Sequence, residues 1–378
     1  MKNSLIDFPD FREDMKLILA GLTLTLVILA ASPLLATASA ARIGAVYTID
    51  NAVSNSVLQY QTGPTGVVAL AGTYSTHGSG TGARLASQGA VSLTQDGHWL
   101  LAVDAGSNQI TVFQVNSDGS LAFASVTSSQ GKAPISVTAN AGLVYVLDNG
   151  TATIPGNIAG FSLGSGGALT FIPGSIQPLS GPANTSPEQI GFSNHGSVLV
   201  VTEKAAGTID TYTVGRSAIP SGPTMTQSNS AGPYGFAFTS KGYLILSEAA
   251  AGTLSSYSVS DSGSLRTLSG SLPDFGLAPC WVAVSPNGQF VYTSNAHGGT
   301  ISAYSVSETG TMSLFSSVAA KASIPTLDLA FGGSNHNQFL YVLNGNSITS
   351  FQVYPDGSIA QTATVGGVPS SAAGLAST

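Results

Sequence analysis

Along most of this chain, apolar residues alternate with polar ones over five to eight positions, and Asn-Gly, Asp-Gly or Gly-rich turns separate the runs. The stretch from Cys280 to Val318 shows the unit most fully. Trp281 to Val284 predicts a first strand, and Pro286-Asn287-Gly288 turns the chain into a second, Phe290 to Ser294. A loop over Asn295 to Gly299 leads to a third strand, Thr300 to Val306. After a turn at Thr309-Gly310, Met312 to Val318 makes the fourth. Period-two alternation bounded by such turns marks antiparallel hairpins. One four-stranded meander cannot bury both of its faces, so several must pack together.

The unit recurs. An aromatic residue closes the third strand each time, at Tyr60, Phe113, Phe161, Tyr212, Tyr257, Tyr304 and Phe351, with separations of 45 to 53 residues. A Gly-Thr-Ile or Gly-Thr-Leu step precedes several of them, as at Gly207-Thr208-Ile209, Gly252-Thr253-Leu254 and Gly299-Thr300-Ile301. Four strands per repeat at this period predict an all-β, seven-bladed β-propeller, with the repeated aromatics packing between blades. Gly44-Ala45-Val46-Tyr47 matches a second strand, so blade one lacks its innermost strand. The C-terminal Val368 to Ala376 reads as that missing strand, closing the ring and removing two open edges.

Ahead of the repeats, Lys16 precedes the weakly polar to apolar run Leu17–Ala31. Ser32-Pro33 breaks it, and Ala38-Ser39-Ala40 supplies the small residues of a cleavage site. This is the layout of a signal peptide over residues 1–40, with Met15 as an alternative start, followed by the propeller over residues 41–378. Left uncleaved, the run is nearly long enough to be a membrane anchor. Either outcome places the propeller outside the cytoplasm, secreted or periplasmic.

Composition narrows the partners. Charged residues make up 8% of the 378, the formal net charge is −7, and Lys and Arg are scattered. Nucleic-acid binding needs a clustered basic footprint and is not expected. Cys280 is the only cysteine, which excludes an intrachain disulfide and cysteine-based metal sites. No G-x-S-x-G, H-E-x-x-H or phosphate-binding loop occurs.

Phe290-Val291-Tyr292-Thr293-Ser294-Asn295 resembles a YVTN-type strand. Together with the recurring hairpins and the G-T-I-x-x-Y step, it makes residues 43–378 similar to the seven-bladed lactonase family, which includes 6-phosphogluconolactonase-like and carboxymuconate-cyclase-like proteins. The resemblance implies a lactonase-type hydrolase or a lactonizing enzyme. Its lactonizing members use arginine and histidine with a glutamate; Glu248 resembles the family's glutamate-bearing strand end, but Arg216 and Arg266 fall in outer-strand regions.

In a propeller, the loops after each second strand and the entries to each inner strand open on one face. The first set contributes Asp50, Asp104, Asp148, Glu203, Glu248, Asn295 and Asn344, an expected acidic ring around a funnel. Asp and Asn also cap their own loop amides at such positions. Glu does so poorly, which makes Glu203 and Glu248 the catalytic candidates, with His297 in the same set of loops. Asp50, Asp104 and Asp148 would supply the hard oxygen ligands suited to Ca²⁺. Glu188, Tyr234, Trp281, Arg84, Lys204 and Asn295 are the ligand-binding candidates. His98, His195 and His336 are expected on the opposite face. The reading is a secreted lactonase-like propeller that acts on a small lactone or related ester in its central funnel. A neutral or cationic ligand suits an acidic funnel better than an anionic one. The alternative is a non-catalytic propeller that binds a ligand, a surface polymer or a partner protein through its loops.

Overall fold

The computed structural model describes residues 44–334 and 337–378. The signal peptide expected over residues 1–40 and His336 lie outside the described residues. Seven four-stranded antiparallel sheets follow one another, each running from inner to outer strand in chain order. Blade two is typical: Val91–Leu93, Trp99–Asp104, Gln109–Val115 and Leu121–Ser128. The third blade alone has a broken outer strand, with Leu169–Phe171 and Gln177–Pro178 both paired to Asn157–Leu163. Blade one is completed from the far end of the chain, because Ala373–Ser377 pairs with Ala45–Ile49. That closure is reinforced by Thr48 donating to the Ala373 carbonyl at 3.1 Å and the Ala45 amide donating to Thr378 Oγ1 at 2.8 Å.

Burial explains the sequence pattern. The second strand of each blade is sandwiched on both faces, so Val198–Glu203 is buried throughout. Outer strands meet water along one side and alternate accordingly, as in Leu121–Ser128. The seven repeat aromatics are all buried and sit in the apolar layers between sheets. Tyrosines on second strands add polar pins. Tyr47, Tyr145 and Tyr292 donate to the carbonyls of Gly119, Ala218 and Gly357, each in the turn before the next blade's outer strand, at 2.6–2.8 Å. Gly310 shows why such a turn needs glycine. Its φ is +81°, and an added Cβ would lie 2.6 Å from Tyr243 and Leu268 of the preceding blade.

Candidate functional site

Four of the residues that end the second strands, Asp104, Asp148, Glu203 and Glu248, form inter-blade clasps. Asp104 accepts from Asn55 Nδ2 at 2.8 Å, Thr76 Oγ1 at 2.5 Å and Thr111 Oγ1 at 2.7 Å. Thr111 belongs to the same blade, whereas Thr76 immediately follows the outer strand of the blade before. The scheme repeats. Ser129 donates to Asp148 at 2.6 Å, Ser180 to Glu203 at 2.9 Å and Ser228 to Glu248 at 3.0 Å. Glu248 also accepts from the Ser230 amide, Thr253 and Ser255. Asn295 turns the polarity round, donating to Thr300 and Ser302, and Ser302 donates on to Asp274. Asn344 likewise donates to Thr349. A glycine two residues past the clasp hydroxyl lets the connection lie directly on the acid: a Cβ on Gly78 or Gly131 would come within 2.4 Å of Asp104 or Asp148.

These contacts correct the expected acidic funnel. Asp104, Asp148, Glu203, Glu248 and Asn295 are fully buried between blades, facing serine and threonine hydroxyls instead of an open mouth. Glu203 and Glu248 therefore hold structure where activation of water was expected, and Asn295 has its amide committed within its own blade. Asp50 caps its loop, accepting from the amides of Ala52 and Ser56 at 3.1 and 2.9 Å. Asp50, Asp104 and Asp148 do not converge. Among the described residues no group of three His, Cys, Asp or Glu side chains is placed to share a metal ion, so the expected Ca²⁺ set is not assembled. Burial raises the Asp104 carboxyl above its ordinary range and pushes Asp148 up to about 7.

His297 is exposed, and its backbone amide donates to the Leu277 carbonyl at 3.1 Å. Arg84, also exposed, donates to the Ser370 carbonyl at 2.8 Å, which spends it on the connection that closes the ring. Arg216 and Arg266 are exposed on the fourth and fifth blades.

Four of the ligand-binding candidates do meet, at the entry of the inner strands. Lys204 Nζ lies 3.4 Å from Glu188 Oε1 and 5.3 Å from the centre of the Tyr234 ring. Trp281 stands edge-on to Tyr234 with ring centroids 5.2 Å apart. The Glu188 side chain is 1% exposed and that of Lys204 38%, so the ammonium caps an almost wholly buried carboxylate. Glu188 Oε2 is buried with no hydrogen-bond partner. Burial pushes the Glu188 carboxyl up to about 8, against the opposing pull of Lys204, and holds the neighbouring Cys280 thiol up at about 12. A thiol so protonated is not a nucleophile.

Beneath this cluster lies a feature that the repeat pattern did not disclose. Late in the connection from blade one to blade two, residues 76–90, Ser87 and Gln88 bond the inner strands of distant blades. Gln88 donates from Nε2 to the Val282 carbonyl at 2.8 Å and accepts the Val282 amide at 3.1 Å, while its own amide donates to the Glu188 carbonyl at 3.1 Å. Trp281 Nε1 donates to the Ser87 carbonyl at 2.9 Å. These two residues join blades four and six, and Gln88 also lines a cavity of about 220 Å³ with Gln189, Phe192, Phe236, Phe238 and Asp328 among others. Asp328 accepts the Leu329 and Leu375 amides, and burial pushes it up to about 7. The length of this connection was the one available signal.

Solved structures with the same fold are numerous. A putative 6-phosphogluconolactonase from Bacteroides fragilis is 16% identical, with a TM-score of 0.68 over 90% of this chain and 99% of that one. The periplasmic gluconolactonase of Pseudomonas aeruginosa is 17% identical, with a TM-score of 0.64 over 88% and 98%. Virginiamycin B lyase from Staphylococcus aureus aligns less fully, at 13% identity and a TM-score of 0.51 over 74% and 84%. At these identities the likeness is one of fold. No curated protein sequence matches the chain. The family model described as "Lactonase, 7-bladed beta-propeller" matches residues 45–155 and 236–328, leaving the blade that carries Glu188 and Lys204 between its two segments. That match spans more than half of the sequence, and the chain belongs to the lactonase family of seven-bladed β-propellers.

Proposed function

We propose that this protein is an extracytoplasmic lactonase-type hydrolase that opens a small uncharged lactone at the Glu188–Lys204–Tyr234 cluster. The observation that carries the reading is the buried Glu188 carboxylate with one oxygen unpartnered, beside an ammonium at the channel entry. Ionised Glu188 takes a proton from water as the water oxygen attacks the lactone carbonyl. Lys204 stabilises the oxyanion that forms. When the ring C–O bond breaks, Glu188 returns the proton to the departing alkoxide, giving a hydroxy acid. The Tyr234 and Trp281 rings supply the apolar wall. A lactone bearing phosphate or carboxylate is disfavoured by Glu188 and by the lack of arginine here. The Lys16-flanked apolar run and the Ala38-Ser39-Ala40 site support the extracytoplasmic address, as does the likeness to a protein named as periplasmic.

The test is hydrolysis of a panel of neutral γ- and δ-lactones followed by pH-stat. Glu188→Gln is expected to lower kcat/KM by roughly 100-fold or more, and the wild-type rate to rise with pH through about 8 as Glu188 ionises. Absence of hydrolysis across the panel, or an unaltered rate in the variant, rejects the reading. A non-catalytic binding propeller is the second reading, favoured by Phe275, Leu277 and Ile324, which are 77%, 65% and 67% exposed around the His297 loop. Retention on a cell-surface fraction that survives Glu188→Gln would select it.

A further inference from the structure

In blades two, five and six the strand-end residue has a hydrogen-bond partner two residues past the position opposite it, a place that Ala159 fills in blade three. In blades two and five that partner is a hydroxyl, and Thr111 and Ser255 donate to Asp104 and Glu248 at 2.7 and 2.9 Å. In blade six, where an amide replaces the acid, Ser302 accepts instead. Blade four breaks the pattern. Glu203 pairs with Thr208, and the residue two further on is Asp210. An acid there faces an acid, both fully buried.

We propose that Glu203 and Asp210 share one buried proton, Asp210 standing protonated in place of the hydroxyl used elsewhere, and that loss of this proton loosens the joint between blades three and four. Two ionised carboxylates in contact away from water repel each other strongly, whereas a carboxyl donating to a carboxylate makes a strong hydrogen bond. Glu203 Oε2 and Asp210 Oδ1 are the two oxygens left without any other partner, as a proton between them requires. Burial and the neighbouring Glu203 push the Asp210 carboxyl up to about 7.

Among the described residues no cation forms an ion pair with either acid. Lys204, next in the chain, commits its ammonium to Glu188. The incoming connection over 178–186 and the outer strand Pro220–Gln227 carry no charged side chain. Tyr212 is the other titratable group on the pair; it donates its hydroxyl to the Pro178 carbonyl at 2.8 Å, and burial, reinforced by the two acids, keeps it protonated.

The joint depends on these groups. The Ser180 amide donates to Asp210 Oδ2 at 2.7 Å, and the Ser180 hydroxyl and Gly181 amide donate to Glu203 Oε1 at 2.9 and 3.2 Å. This is also where the preceding outer strand is broken, so little sheet pairing backs the joint up. Ionisation of the second acid therefore acts on the least supported connection of the ring.

Hydrogen exchange of the full chain, followed by mass spectrometry over residues 178–186, tests the inference. After correction for the intrinsic pH dependence of exchange, wild-type protection is expected to fall by roughly 10-fold or more between pH 6 and pH 9. Asp210→Ser restores the common hydroxyl and is expected to flatten that response. Glu203→Gln, which offers an amide donor to ionised Asp210, should do the same and serves if the first variant does not fold. An infrared band from a protonated carboxyl near neutral pH should weaken in both variants. A pH response of wild-type size in the variants, or a carboxyl band untouched by them, overturns the proposal. Recovery of protection at pH 9 on adding Ca²⁺ also overturns it, by making the pair a cation site.

Discussion

Replacing Glu248 by alanine separates a clasp from a catalytic group. The side chain is fully buried and accepts from Ser228 at 3.0 Å, the Ser230 amide at 2.9 Å, Thr253 at 2.5 Å and Ser255 at 2.9 Å. Alanine leaves these donors facing a cavity in the joint between blades four and five. A hydrogen bond to a charged acceptor contributes about 1.5–3 kcal/mol and such losses are not additive, so the expected cost is about 3–5 kcal/mol. With an unfolding entropy of ~2.1 cal/mol/K per residue, each kcal/mol lowers the Tm of a propeller this long by about 1–2 °C. Differential scanning calorimetry should therefore show a fall of roughly 4–7 °C. Glu248→Gln keeps the volume but turns an amine towards donors, and should lose about half as much. Lactone hydrolysis measured well below both melting points should stay near the wild-type rate. A Tm within about 1 °C of wild type with hydrolysis abolished would refute the reasoning and return Glu248 to the chemistry.

A chain ended after Ala372 loses the strand that pairs with Ala45–Ile49, leaving a three-stranded blade with exposed edges; size-exclusion chromatography should show aggregation and thermal melting a broad, non-cooperative transition. Gln88→Leu removes both bonds to the Val282 backbone and strands a buried N–H and C=O, so the urea midpoint should drop by the equivalent of about 2–4 kcal/mol. The buried carboxyls of Asp148, Asp328 and Glu188 are pushed up to about 7, 7 and 8. Their unfolded counterparts ionise near pH 4, so the stability they contribute is complete below about pH 4 and is lost as pH climbs through the folded values. Urea midpoints should accordingly fall between pH 5 and pH 9, and Asp328→Asn should flatten part of that slope.

The legibility of the site differs from that of the fold. The expected ring chose the right positions and the wrong role. Asp104, Glu203 and Glu248 do stand at equivalent places, but their partners Thr76, Ser180 and Ser228 lie 20 to 28 residues earlier, in the connection from the preceding blade. The recurring hydroxyl, spacer and glycine in Thr76-His77-Gly78 and Ser129-Gln130-Gly131 was the sequence mark of that partnership. Glu188, Tyr234 and Trp281 lie at inner-strand entries, and Lys204, one residue past the second strand of its blade, reaches Glu188 and Tyr234. Gln88 was missed because it sits at no repeated chemical position, and Asp210 because an acid stands there at the place where Thr111, Ser255 and Ser302 carry hydroxyls.

What the amino-acid order determined alone was the number of blades, their four strands and the closing role of the C-terminal residues. Those follow from alternation, turn chemistry and period, which are local and so are written along the chain. Only the folded ring decided which carboxylates are buried in clasps, which of them keep an oxygen without a partner, and where Ser87 and Gln88 reach other blades. Those outcomes depend on donors brought from other blades, as far apart as Gln88 and Val282. A carboxylate's role is set by the groups that surround it in space, and no spacing in the sequence records which those are.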